Sequence, residues 1–190
     1  LQKAISDYAR TAEVVIAIPF KNSANTLRRA IQSALMQELS DGHCAILILD
    51  DQSTDVWRDD VEDLLDHPAI VHVAGHCGSP AHARNAALDF IDADLPQARW
   101  VARLDADDCF SSAIAVESLW SEGESKDALF VIGSNDLVSN GEKKDSPNFA
   151  NPDVLLNPSR LVAFIRAFCT GQSPHELPSC NLMLRVRSGI

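Results

Sequence analysis

Apolar positions follow two rhythms along this chain. Short runs are apolar on both faces and rich in β-branched residues: VVIAIPF (Val14 to Phe20), CAILILDD (Cys44 to Asp51), AIVHVAG (Ala69 to Gly75) and RWVARLD (Arg99 to Asp105). Such runs predict strands buried from both sides, as in a parallel sheet covered by helices. Pro19 is expected to end the first, because proline cannot donate to a ladder. Between the strands the spacing changes. After Asn22, Ser23 and Asn25, which offer N-cap chemistry, Leu27, Ala30, Ile31, Ala34 and Leu35 recur at helical intervals and predict an amphipathic helix. Trp57, Val61, Leu64 and Leu65 mark a second helix face, AHARNAALDFI (Ala81 to Ile91) a third helix and SSAIAVESLW (Ser111 to Trp120) a fourth. ALFVIGSNDLVS (Ala128 to Ser139) predicts a strand leading into a hairpin at NGEKK, LVAFIRAF (Leu161 to Phe168) a short helix, and NLMLRV (Asn181 to Val186) a last strand.

Strands alternating with helices predict an α/β fold with a mostly parallel sheet flanked by helices. A length of 190 residues makes one domain the expectation. In such sheets ligands sit outside the carboxyl ends of the strands. Three polar clusters fall on that edge: PFKNS after the first strand, DDQSTD after the second and DADD after the fourth. Two of them lie beside helix starts, which add partial positive charge.

Charge narrows what such an edge can hold. Sixteen basic against 27 acidic residues give a net charge of -11, the wrong sign for a nucleic-acid binder. A small anion would need local cations or a metal against that field. The five cysteines, at 44, 77, 109, 169 and 180, form no CxxC pair, which argues against a zinc ribbon or a disulfide framework and for a reducing compartment. No apolar run approaches the roughly 20 residues that span a bilayer, and LQKAISDYAR does not read as a signal peptide. A cytoplasmic protein is expected. The chain starts at Leu1 and stops at RVRSGI, so it is read as a piece truncated at its C-terminus.

LDADD (Leu104 to Asp108) crowds three carboxylates into four residues. With oxygen ligands only, a hard divalent ion, Mn2+ or Mg2+, suits them, and it would keep one or two carboxylates and take substrate phosphates. On this reading Asp105 and Asp107 share a metal that carries a diphosphate. The competing reading has LDADD capping a helix that starts near Ser111, and DDQSTD forming an Asx or ST turn before Trp57.

Taken in order, AIPFKN, LDDQSTD, ARNAAL and LDADD resemble the family 2 glycosyltransferases of the GT-A fold, whose members read P-x-Y-N, V-D-D-G-S-x-D, A-R-N-x-G and D-A-D-D. The resemblance covers about Val14 to Phe110. It implies a GT-A, Rossmann-like domain over residues 1–190, with a nucleotide-binding portion at about 14–110 and the start of an acceptor-side portion at about 111–190. It places Pro19 and Phe20 against the nucleotide base, Asp51 on the uracil edge and Arg84 facing the nucleotide. Asp105 and Ala106 are placed at the nucleotide, Asp105 by the ribose or a metal-bound water, and Asp107 on the metal. Asn22 is expected to brace its loop and Asp108 to cap the next helix. The implied function is metal-dependent, inverting transfer of a sugar from a nucleotide-diphospho-sugar, UDP-linked, to an acceptor that the sequence leaves open. A lipid-linked acceptor would put the protein at a membrane periphery.

The chain departs from the pattern in places. Phe20 stands for Tyr, Lys21 intervenes before Asn22, Ala87 follows ARN where Gly is usual, and Gln52 replaces the Gly of DDGS. The last departure implies a turn without a glycine-only backbone angle. The family's catalytic base follows the strand matched by NLMLRV, so it is expected beyond Ile190. Within the chain, His175 and Glu176 are the acid–base candidates, the alternative being a solvated loop. Trp57, Trp100 and Trp120 are read as packing residues. Two other functions stay open: a degenerate GT-A binding module without catalysis, and a nucleotidyltransferase. The second would show a glycine-rich loop after the first strand, and PFKNSANTLRRA contains no glycine.

Overall fold

The computed structural model describes residues 4–133, 136–139, 142–144 and 182–187. Compact unit 1 covers 1–131 and 182–190, and compact unit 2 covers 132–181. In the first, β1 (Val14–Phe20), β2 (Cys44–Asp50), β3 (Ile70–Ala74) and β4 (Trp100–Arg103) alternate with α2 (Ala24–Leu35), α3 (Trp57–Val61) and α4 (Pro80–Asp94). A short α1 (Asp7–Arg10) precedes them, and α5 (Ala115–Ser125), β5 (Phe130–Ile132) and β8 (Leu182–Arg185) follow. The six-stranded sheet has the order β3-β2-β1-β4-β8-β5. β3, β2, β1 and β4 run parallel, and β8 joins β4 antiparallel. Within unit 2, β6 (Leu137–Ser139) and β7 (Glu142–Lys144) pair antiparallel, the hairpin expected around NGEKK. The helix expected over LVAFIRAF lies outside the described residues.

Strand alternation sorts the core into two layers. Val14, Ile16, Ile18, Phe20, Ile46 and Ile48 face α2, α3 and α5, where Leu27, Ile31, Trp57 and Val116 meet them. Val15, Ala17, Leu47, Leu49 and Val101 face the other way, onto Ala83, Ala87 and Ile91 of α4. Crossovers on opposite faces make the junction of β1 and β4 the topological switch point, outside which α/β folds open a ligand crevice.

Three extents differ from expectation. Pro19 does not end β1, which continues to Phe20 with Pro19 opposite Leu49. The reason is directional. The carbonyl of Phe20 accepts from Asp51 on the β2 side, and that of Ala17 accepts from Leu104 on the β4 side. By alternation Pro19 also faces β4, whose pairing stops at Ala17–Arg103, so no rung misses its N–H. The second helix is shorter than expected: Leu64 and Leu65 lie past α3 in turns closed onto Val61. The fourth starts at Ala115, with Ile114 as N-cap, four residues later than the start near Ser111 that the capping reading of LDADD assumed. Residues 105–114 are taken up instead by turns fastened to α2.

Candidate active site at the carboxyl edge of the sheet

Each turn along this edge is built from the strand it leaves. After β2, the Oδ1 of Asp50 accepts from the N–H of Ser53 at 2.8 Å, a local turn that an Asx residue favours. Gln52 within it has φ +58°, in the left-handed region, as has Asn22 after β1 at φ +53°. The expectation that Gln52 signals an ordinary backbone angle is therefore corrected: the glutamine adopts the conformation that glycine takes freely elsewhere, held by its neighbours at a cost of about 1 kcal/mol. Gln52→Gly is expected to raise stability by about 0.5 kcal/mol, the relieved strain exceeding glycine's extra chain entropy. A melting temperature about 1–2 °C higher would register it; a lower one would show the angle to be unstrained.

The first two turns are laced together. Asn22 takes a hydrogen bond from Thr54 N–H at 2.7 Å through its Oδ1 and donates its own N–H to Ser53 Oγ at 2.8 Å. Asp55 reaches across to accept from Ala24 N–H at 2.8 Å. It thereby supplies the cap that Ser23, whose side chain makes no capping bond, leaves open at the start of α2.

Asp51 is buried, only 4% exposed, and is the one buried polar residue among the described residues. Its carboxylate accepts from Cys77 N–H at 2.6 Å and from Gly78 N–H at 3.1 and 3.3 Å. Those bonds, the one from Cys77 foremost, with Lys21 and His76 nearby, hold its carboxyl below the usual range against the opposing effect of burial. Gly78 turns at φ +73°, and Ser79 then caps α4 by accepting from His82 N–H at 3.3 Å, with Pro80 at the first helical position. Asp51 thus fixes the loop that launches α4. Two backbone amides converge on this carboxylate, that of Gly78 shared between its two oxygens.

α4 carries Arg84 to the end of β4. Its Nη2 lies 3.4 Å from Asp105 Oδ1, and Arg103 Nη2 lies 3.6 Å from the same oxygen. Arg84 is two-thirds buried, and its Nε is enclosed without a hydrogen-bond partner among the described residues. The next residue, Ala106, is buried in the core layer under α2, which leaves its main chain for the rim. Asp107 is exposed, and its carbonyl accepts from Arg29 Nη2 of α2 at 2.6 Å. The phenyl ring of Phe20 is 4% exposed and meets Trp57 edge to face, with centroids 4.8 Å apart, so its face is given to the core. Pro19 is half-buried beside it. His175 and Glu176 lie outside the described residues.

Among the described residues no three His, Cys, Asp or Glu side chains gather as a metal cage. An ion that arrives with a diphosphate asks for less, one or two carboxylates. Asp107, exposed, and Asp105, one oxygen of which is turned to arginines, fit that demand. Two cavities, of about 270 and 250 Å3, lie away from this rim, one between α3 and β3 and one by Tyr8 and His43 at the opposite ends of the strands. Neither gathers the convergent charges found on the rim. Sequence reasoning missed Arg29, Asp55 and Arg103. Arg29 was detectable as the first of three polar residues at four-residue spacing, Arg29, Ser33 and Gln37; Asp55 was not, since its partner is 31 residues away.

Comparisons with known proteins bear on the family and the fold. The sequence model of the family described as Glycosyl transferase family 2 matches residues 15–188. Among solved structures, that of S. aureus TarS 1-349 superposes with a TM-score of 0.64 at 18% identity, covering 91% of this chain and 47% of that one. TarS 1-349 in complex with UDP-GlcNAc gives 0.65 at 18%, covering 91% and 45%. The complex of TarS 1-349 with UDP gives 0.64 at 18%, covering 91% and 46%. The chain therefore spans about half the length of these structures, and at this identity the likeness establishes the fold. No curated protein matches the chain.

Proposed function

Since the chain belongs to glycosyl transferase family 2, whose model matches residues 15–188, we propose that its carboxyl-edge rim binds a nucleotide-diphospho-sugar, UDP-linked, and that the whole protein transfers the sugar with inversion to an acceptor. One observation carries this reading: the turns after β1, β2, β3 and β4 are joined by direct hydrogen bonds and ion pairs into one rim at the switch point. The TarS complexes with UDP and UDP-GlcNAc support the choice of nucleotide.

In this reading the base lies over Pro19 and the Lys21–Asn22 turn, beside Asp51. Phe20 shapes that wall from beneath. Asp107, with Asp105, would hold Mn2+ or Mg2+, which when bound neutralises negative charge on a departing diphosphate. Arg84 and Arg103 hold Asp105 in place before any ligand arrives, and they bring positive charge to the rim of a chain with net charge -11. The base that takes the acceptor proton is assigned outside the described residues.

Calorimetric titration of the full-length protein with UDP, with and without Mn2+, tests the proposal. Binding that the ion strengthens, with a micromolar to millimolar dissociation constant, is expected. Indifference to Mn2+ would refute the metal assignment, and failure of any uridine nucleotide to bind would refute the donor. Binding of a UDP-sugar that is never turned over with any acceptor would favour the non-catalytic module.

A further inference from the structure

The carboxylate of Asp107 has no hydrogen bond or ion pair of its own among the described residues, although the proposed function asks it to meet an ion. Its position is set through its backbone. Arg29 Nη2 holds the Asp107 carbonyl at 2.6 Å. One helical turn on, Ser33 Oγ accepts from Phe110 N–H at 3.2 Å. One turn further, Gln37 donates to the Ser112 carbonyl at 2.8 Å and accepts from Val116 N–H at 3.0 Å. The spacing of four residues puts Arg29 and Ser33 on one stripe of α2, and Gln37, just past its C-cap Met36, carries the line on. Together they fasten the segment from Asp107 to the start of α5 at four backbone positions, at Asp107, Phe110, Ser112 and Val116.

The far end of the same helix is held by the other side of the rim, through Asp55 on Ala24. α2 is thus a strut with the β2 turn at its start and the aspartate turn along its side. Arg29 is also the third guanidinium at the aspartate cluster, after Arg84 and Arg103 on Asp105. A charged donor on a backbone carbonyl makes a stronger bond than a neutral one, and its charge offsets part of the repulsion among Asp105, Asp107 and Asp108.

We infer that Arg29 is a positioning residue for Asp107, setting through the main chain the place at which that carboxylate receives a divalent ion, with Ser33 and Gln37 completing the fastening. This rests on the proposed function. Outer partners that orient metal-binding carboxylates typically contribute about 10- to 100-fold to ion affinity.

Three forms of the full-length protein are compared: unsubstituted, Arg29→Ala and Arg29→Lys. For each, Mn2+ binding in the presence of saturating UDP is followed by electron paramagnetic resonance of the free ion, beside UDP binding without metal and the melting temperature. Arg29→Ala is expected to raise the half-saturating Mn2+ concentration about 10-fold while UDP binding without metal and the melting temperature stay unchanged. Arg29→Lys, which keeps a charged donor, is expected to recover most of the loss. An unchanged Mn2+ requirement in Arg29→Ala overturns the inference while leaving the proposed function standing. So does a loss matched by an equal fall in metal-free UDP binding or by a lowered melting temperature. An unsubstituted protein whose UDP binding ignores Mn2+ overturns the proposed function and this inference with it.

Discussion

Asp107→Ala in the full-length protein is expected to lower sugar transfer at least about 100-fold and to abolish the Mn2+-dependent part of UDP binding. Neutralising a leaving diphosphate supplies several kcal/mol in the transition state, and each 1.36 kcal/mol is about tenfold in rate. The side chain is exposed and unpaired in the described residues, so its loss should leave the fold intact. Steady-state rates with a UDP-sugar, read beside thermal melting, separate the two effects. A variant that folds and retains more than a tenth of its activity would remove Asp107 from the chemistry.

Asp51→Ala should do the reverse, with stability falling first. Hydrogen bonds to a charged acceptor contribute about 1.5–3 kcal/mol each, less in partly exposed loops, and removing the carboxylate leaves the amides of Cys77 and Gly78 without their acceptor. A loss of about 3 kcal/mol is expected, some 6–12 °C in melting temperature. Asp51→Asn, which keeps one carbonyl oxygen, should lose less. The pH dependence follows from the lowered carboxyl. A group whose folded value lies below its unfolded one stabilises the protein above the unfolded value, near pH 4, and the benefit vanishes as pH falls through the folded value. Denaturant unfolding from pH 7 downwards should therefore show the gap between the unsubstituted protein and Asp51→Asn narrowing only below about pH 4. A gap unchanged at pH 3 would mean that the charge of Asp51 contributes nothing.

How much of this was readable in the chain depends on which forces act locally. The parallel strands were, because burial on both faces writes an uninterrupted apolar run and the acids that follow mark the carboxyl end. α2 was too, since Leu27, Ala30, Ile31 and Ala34 all face the sheet as their spacing implied. Where a start or an angle is fixed by a partner distant in the chain, the sequence is silent. The late start of α5 follows from Arg29, Ser33 and Gln37 holding residues 107–116 in turns. The left-handed Gln52 follows from Asp50 and the Asn22 turn. The motif spelling drew attention to acids; the arginines that make those acids tolerable come from α2, α4 and the strand itself, and only the fold brings them together.

Pro19 has a consequence of its own. Its ring nitrogen points toward β4 at the level where the two strands part. An amide there would be a spare donor inviting the next residue of β4 to zip up by one more rung. Lacking it, the two strands stay splayed, and the wedge between them remains open to a guest without any side chain having to move aside.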